Sequence, residues 1–174
     1  MKQRIVQFAR KIRILPLLEK INLVKTIIKN HRINCLYVKN NNSKRHYPPY
    51  SLMYDAYSHC NYNIYDNTGL QDAKLITEII RKYTSDTQLV ICEFGCGPAR
   101  IIRNLRQTDS AICSRLIGTD YNPKTVKWCK KNITEIDFIK NELAPPLDLP
   151  DSYINDSTAY LFLRTFQKKC TING

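Results

Sequence analysis

Two acidic residues and two glycines form the part of the sequence best suited to chemistry. Glu93 follows the apolar run Leu89–Cys92 and precedes Gly95 and Gly97. Glycines at such a turn let the backbone reverse sharply and let a ligand approach without a Cβ in the way. Asp120 ends a second apolar run, 23 residues beyond Gly97. A carboxylate at about that spacing offers acceptor oxygens to a ribose diol, so the pattern predicts a nucleotide-type cofactor.

The elements around these residues alternate between strands and helices. Uninterrupted apolar runs indicate buried parallel strands, because helices cover both faces of a parallel sheet. Asn122 and Pro123 have the residue types that start a helix, as N-cap and first helical residue. We therefore predict an α/β fold with a Rossmann-like, doubly wound and mostly parallel sheet. The predicted elements are a strand from Leu89, a helix over about 99–107, a strand over Arg115–Asp120, a helix over Pro123–Asn132 and a strand over Ile136–Lys140.

With these motifs in order, the chain resembles the class I S-adenosylmethionine-dependent methyltransferases. Their first motif typically has the form Asp/Glu-x-Gly-x-Gly-x-Gly, and the corresponding residues here are Glu93-Phe-Gly-Cys-Gly-Pro-Ala99. The resemblance covers about residues 47–153 and includes Gly118-Thr-Asp-Tyr-Asn-Pro123 and Leu147-Asp-Leu-Pro-Asp151. It implies S-adenosylmethionine as the cofactor and methyl transfer as the activity.

The resemblance also implies a role for individual residues. Glu93 and the turn Gly95-Cys96-Gly97 would line the methionine part of the cofactor, and Asp120 would accept the ribose hydroxyls. Tyr121 and the Asn141–Leu143 turn, including Asn141 and Leu143 themselves, would flank the adenine. No residue is identified as a catalytic base. The methyl acceptor is open, with a small molecule or saccharide favoured over nucleic acid.

Two alternative functions differ in class from a methyltransferase. An NAD-dependent oxidoreductase would want a third glycine where the chain has Arg100, whose long side chain would obstruct helix-to-strand packing. A net charge of +12 also suits a basic module binding RNA or an anionic membrane surface through Met1–Arg45. Basic residues occur throughout the chain, however, together with many Asn, Ile and Tyr, which favours compositional bias over a dedicated basic surface.

The seven cysteines form no Cys-x-x-Cys pair and have no histidine at ligand spacing. This argues against a metal site and a disulfide framework and favours a reduced, cytoplasmic location. No run approaches the length of a transmembrane segment.

The sequence predicts a basic helical extension over residues 1–46, and the resemblance implies an S-adenosylmethionine-binding methyltransferase domain over 47–174. Pro16 should divide the extension into two short helices, and Lys39–Ser43 should form a loop. Gln71–Tyr83 should form a helix, preceded by a tyrosine-rich segment that packs or stacks on a flat ring.

The tail offers only a weak strand over Ala159–Leu163, so the C-terminal half of the sheet is expected to be incomplete. A frameshift near Ser157 would account for residues 157–174 and would remove the acceptor side of the fold. We therefore expect a truncated methyltransferase, which would be inactive if the acceptor side is missing.

Overall fold

A computed structural model describes residues 14–41, 45–87, 89–142 and 158–161, the side chains of 14–16 and 158–161 excepted. Three helices precede the sheet: α1 (Ile14–Asn41), α2 (Tyr50–Tyr57) and α3 (Tyr62–Tyr83). The later elements are β1 (Leu89–Phe94), a 3-10 turn (Ile102–Asn104) continuing into α4 (Leu105–Thr108), β2 (Cys113–Asp120), α5 (Pro123–Asn132), β3 (Asp137–Lys140) and β4 (Thr158–Leu161). Within these ranges no helix is long and apolar enough to cross a membrane.

The sheet confirms the predicted α/β fold. Its strand order is β3-β2-β1-β4, and every neighbouring pair is parallel. Glu93 near the end of β1 lies opposite Gly118 of β2, and β4 pairs with the other edge of β1. Successive strands are added on one side of β1 as far as β3, and β4 is then added on the other side of β1. Such a point in a parallel sheet is a topological switch point, and ligands bind beside it at the carboxyl ends of the strands.

The main core lies between one face of the sheet and helices α3, α4 and α5. Ile91 and Leu116 from the strands pack there with Ile76, Leu105 and Val126 from the helices. The opposite face contributes a smaller cluster of Val90, Cys92 and Ile117. This use of both faces explains why β1 is buried along almost its whole length and has no polar alternation.

Helix α1 is longer than the second of the two short helices predicted and extends into the loop predicted from Lys39, whereas most of the helix predicted before Pro16 lies outside the described residues. It is one 28-residue helix that continues as far as Asn41. Pro16 lies in its first turn, where the missing N–H has no intrahelical acceptor to lose. Buried Asn34 then ties α1 to the following chain, because its amide donates to the carbonyl of Cys60 at 2.6 Å and accepts from the N–H of Tyr62 at 2.9 Å.

The tyrosine-rich segment packs, as one of the two interpretations predicted, and lengthens the following helix. Tyr47 and Tyr62 stack with ring centroids 4.2 Å apart, and the hydroxyl of Tyr65 donates to the carbonyl of Pro98 at 2.7 Å. Helix α3 therefore begins at Tyr62 rather than at Gln71, with Asn61 as its N-cap accepting from Ile64.

Two further boundaries differ from the sequence prediction. The helix expected over 99–107 is a series of turns, a 3-10 turn and the short α4. Ala99 has a left-handed backbone with φ +62°, so no helix can start at that residue. The weak tail strand is present as β4, one residue earlier than predicted at its start. The remaining tail residues, 162–174, lie outside the described residues, as does the loop over 143–157.

Candidate functional site

A cleft of about 210 Å³ lies at the carboxyl ends of β1 and β2. The turn after β1 forms its floor through Gly95, Cys96 and Gly97. The end of β2 supplies Asp120, followed by Tyr121 and Asn122, and helix α2 supplies the remaining wall with Leu52, Asp55, Ala56 and Tyr57. Sequence-predicted residues from two separate motifs thus meet in one place.

Backbone conformation requires glycine at both positions of the turn, and limited space requires it at Gly97 as well. Gly95 and Gly97 have φ angles of +70° and +53°, which side chains on L-residues disfavour. A Cβ at Gly97 would lie 3.1 Å from the hydroxyl oxygen of Tyr57, whereas one at Gly95 would meet no atom of the described residues within 4 Å. Gly97 therefore lets α2 close against the turn, and the Gly95 backbone stays open to the cleft.

Asp120 joins the turn to the end of β2. Its Oδ2 accepts from the N–H of Gly97 at 3.0 Å and its Oδ1 accepts from the N–H of Asn122 at 2.8 Å. The residue is 7% exposed, and burial raises the pKa of its carboxyl although the two amides oppose the shift. Each carboxylate oxygen can accept more than one hydrogen bond, so the group retains acceptor capacity toward a ligand.

Glu93 lies beneath the turn. Its Oε2 accepts from the N–H of Ile102 at 3.1 Å. Burial raises the pKa of this carboxyl to about 8, partly offset by the Ile102 hydrogen bond and by the positive charge of Arg100. Much of the population is therefore protonated at neutral pH, and a cationic group entering the cleft would favour the charged form.

Cys96 lines the cleft with its backbone while its thiol lies in the core. The thiol donates to the carbonyl of Gly97 at 3.4 Å, and burial raises the pKa of Cys96 well above its usual range. A thiol in this state is a poor nucleophile. Cys96 therefore contributes shape and a backbone surface rather than reactive sulfur.

Of the residues expected to flank an adenine, the structure places Tyr121 at the cleft but not Asn141. Tyr121 lines the cleft and is 52% exposed at its rim, where a ring could cover a flat ligand. Asn141 does not line it; its N–H donates to the backbone carbonyl of Asp120 at 3.2 Å. The side-chain oxygen of Asn141 is buried, and none of the described residues offers it a hydrogen bond. Leu143 lies outside the described residues.

Sequence reasoning did not assign Tyr57 and Arg100 to the site. The hydroxyl of Tyr57 is buried and finds no hydrogen-bond partner among the described residues, and its oxygen faces the glycine turn. The Arg100 guanidinium lies 5.3 Å from the centre of the Tyr57 ring and pairs with Asp72 at 2.7 Å. The density of tyrosines before Gly69 was the available signal, but it does not distinguish the one tyrosine at the cleft from those that only pack.

A wider groove of about 680 Å³ continues from the mouth of the cleft toward α1. The two share Leu52, Asp55 and Asn122. Lys20 and Leu23 of α1 form the far side of the groove. A second molecule could therefore approach the cleft between α1 and α2.

Comparison with solved structures finds a partial likeness to one enzyme. The chain is similar to the plantazolicin methyltransferase BpumL in complex with SAH, and to BpumL in complex with a pentazolic desmethylPZN analog and SAH. In both cases the identity is 20%, the TM-score is 0.36, and the match covers 45% of this chain and 32% of that chain. The matched region thus spans about a third of BpumL. No protein-family model and no curated protein sequence matches the chain.

Proposed function

We propose that this chain is an S-adenosylmethionine-dependent methyltransferase whose cleft binds the methyl donor. The observation that supports this most directly is the convergence of Glu93, the Gly95–Gly97 turn and Asp120 on one cleft beside the strand switch point. The donor fits the residues present. Asp120 has acceptor capacity for a sugar diol, and Glu93 is a buried acid beside the space for a cationic group.

The same residues argue against a dinucleotide cofactor. A pyrophosphate is bound by free N–H groups at a helix N-terminus. Here the chain after the turn forms no long helix, and the N–H of Ile102 already donates to Glu93. The close packing that a third glycine would provide comes instead from α3, where a Cβ on Gly69 would lie 2.2 Å from the carbonyl oxygen of Arg100.

The proposed chemistry needs little from the protein beyond positioning. The donor supplies a methyl group on a sulfonium, which leaves as a neutral thioether. The described residues would hold the donor through Asp120 and the glycine turn. The Tyr57 hydroxyl would donate a hydrogen bond to a polar atom of the ligand. Orienting donor and acceptor accounts for most of the rate in such a transfer.

The acceptor is proposed to be a small molecule or saccharide that reaches the cleft along the groove between α1 and α2. Incubating the full chain with S-adenosylmethionine labelled in the methyl group, together with a size-fractionated cell extract, tests this. Label is expected in the small-molecule or glycan fraction. Label confined to the RNA or protein fraction would contradict the acceptor class but not the donor assignment.

Donor binding is tested by calorimetry with S-adenosylhomocysteine, with NADH as the control ligand. Saturable heat is expected with S-adenosylhomocysteine alone. Saturable heat with NADH and none with S-adenosylhomocysteine would overturn the proposal in favour of an oxidoreductase. Binding and label transfer are measured separately, so that failure of the acceptor assignment can be distinguished from failure of the donor assignment.

A further inference from the structure

Helix α1 presents an apolar stripe to solvent. Leu17, Ile21, Val24 and Ile28 follow one another at spacings of four, three and four residues, so they lie on one side of the helix. Their side chains are between 41% and 72% exposed. Scattered exposed aliphatic residues are ordinary, but a continuous row marks an interaction surface.

This exposed stripe is separate from the side of α1 that packs on the protein. Buried Asn30 and Asn34 define the packed side, and they bond to Asn61 and to the chain around Tyr62. At 3.6 residues per turn the two rows are roughly a third of a turn apart. Packing of the described residues therefore leaves the stripe uncovered.

The stripe is bordered by positive charge. Lys20 flanks it on one side, and Lys25 and Arg32 flank it on the other. Residues 1–41 contain ten of the 27 Lys and Arg residues but only one of the 15 acidic residues, Glu19. Of the chain's net charge of +12, +9 thus belongs to α1 and the residues before it.

We propose that α1 binds along the surface of an anionic lipid bilayer, with the Leu17–Ile28 stripe in the acyl boundary and the flanking lysines at the headgroups. A helical row of apolar side chains with basic residues on both sides can bind in this way, and each basic residue near an anionic surface adds to the attraction. A second copy of α1 would instead bring lysines beside lysines. Single-stranded RNA binds through aromatic side chains, and the stripe contains none.

Co-sedimentation of the full chain with vesicles tests the proposal. Vesicles of phosphatidylcholine with phosphatidylglycerol provide the anionic surface, and phosphatidylcholine alone provides the neutral one. The variant Ile21→Ser with Ile28→Ser removes the centre of the stripe. Its matched control, Ile33→Ser with Leu36→Ser, removes two aliphatic residues that are exposed on other sides of α1. A second variant, Lys20→Gln with Lys25→Gln, removes charge and keeps the stripe.

Binding to anionic vesicles is expected to fall at least about tenfold in the stripe variant and to stay within about twofold in its control. Vesicle binding should weaken in the lysine variant, because two positive charges are removed, and in 0.5 M salt, because the remaining charges are screened. Equal binding to neutral vesicles, or unchanged binding by the stripe variant, would overturn the proposal. So would RNA binding or self-association of the chain without vesicle binding.

Discussion

The carboxylate of Asp120 accepts a hydrogen bond from the backbone N–H of Gly97 at 3.0 Å. This contact joins the end of β2 to the glycine turn that follows β1. It sets the distance between the two motifs that form the cleft floor, and it makes Asp120 a structural residue as well as a candidate ligand contact.

Substituting Asp120→Asn is expected to lower both stability and donor affinity. An amide group presents one oxygen to two N–H donors, so either Gly97 or Asn122 loses its acceptor. The free energy of unfolding should fall by about 1 to 3 kcal/mol in urea titrations. The Kd for S-adenosylhomocysteine should rise at least about tenfold in calorimetry, measured where the variant remains folded.

The matched control for that variant is Asp137→Asn at the start of β3. Asp137 pairs with Arg115 at 2.7 Å, but its side chain is largely exposed. Loss of this ion pair should therefore lower the free energy of unfolding by less than about 1 kcal/mol and should leave donor affinity unchanged. Unchanged affinity in folded Asp120→Asn protein would refute the role of Asp120 in ligand binding.

Substituting Tyr57→Phe separates ligand binding from stability. The Tyr57 hydroxyl is buried and has no partner within the part of the chain that the structure describes, so its removal should keep or raise the unfolding midpoint. Donor affinity should fall several-fold if the hydroxyl donates to the ligand. Tyr65→Phe is the control, since the Tyr65 hydroxyl donates to Pro98 at 2.7 Å and its loss should lower stability by about 1 kcal/mol. Unaltered affinity in Tyr57→Phe would exclude Tyr57 from the site.

The sequence identified those parts of the fold and site that depend on local pattern. The strands β1 and β2, the Asn122 N-cap of α5 and the convergence of Glu93 with Asp120 follow from apolar runs, capping residues and the parallel topology. Continuity of α1 through Pro16 could not be predicted without knowing where the helix begins.

The contribution of α2 to the cleft also could not be predicted from the sequence pattern. Its position depends on tertiary contacts, such as the Tyr57 hydroxyl against Gly97 and the packing of Tyr62 on Tyr47. Local propensity predicts that tyrosines pack, but it does not predict which one faces a cavity. The Tyr57 hydroxyl became recognisable as a candidate contact only from its burial and its missing partner.

Substituting Ala99→Gly tests whether the left-handed turn is strained. Ala99 has φ +62° and is fully buried. Glycine would relieve about 1 to 2 kcal/mol of backbone strain, but it would lose a buried methyl group worth about 0.8 kcal/mol and would add entropy to the unfolded chain. These terms nearly cancel, so the free energy of unfolding should stay within about 1 kcal/mol of the parent in urea titrations.

The control for that turn is Ala73→Gly in α3, at an equally buried alanine with helical backbone. The Ala73→Gly variant relieves no backbone strain. Its free energy of unfolding should fall by about 2 kcal/mol, because glycine has a lower helix propensity and a buried methyl group is lost. Equal losses in the two variants would show that Ala99 is unstrained in solution.

Glu93 should make the protein less stable as the pH rises. Burial raises the pKa of Glu93 to about 8 in the folded chain, well above the usual value for a glutamate carboxyl, so the unfolded chain loses this proton at lower pH. Stability contributed by the protonated folded form is complete below about pH 4.5 and is lost as pH rises through about 8. Between pH 6.5 and 8.5 urea titrations should show a loss of roughly 1 to 2 kcal/mol.

The variant Glu93→Gln should remove most of that pH dependence. Its side chain stays neutral and keeps an oxygen that can accept from the N–H of Ile102. Glu78→Gln is the matched control, because Glu78 is exposed on α3 and its loss should leave the parental slope unchanged. Burial lowers the pKa of His59, so this residue lowers the free energy of unfolding only at the acid end of this range, where the unfolded chain binds the proton more readily. An equal slope in Glu93→Gln and the parent would therefore mean that Glu93 is ionised in the folded protein at neutral pH.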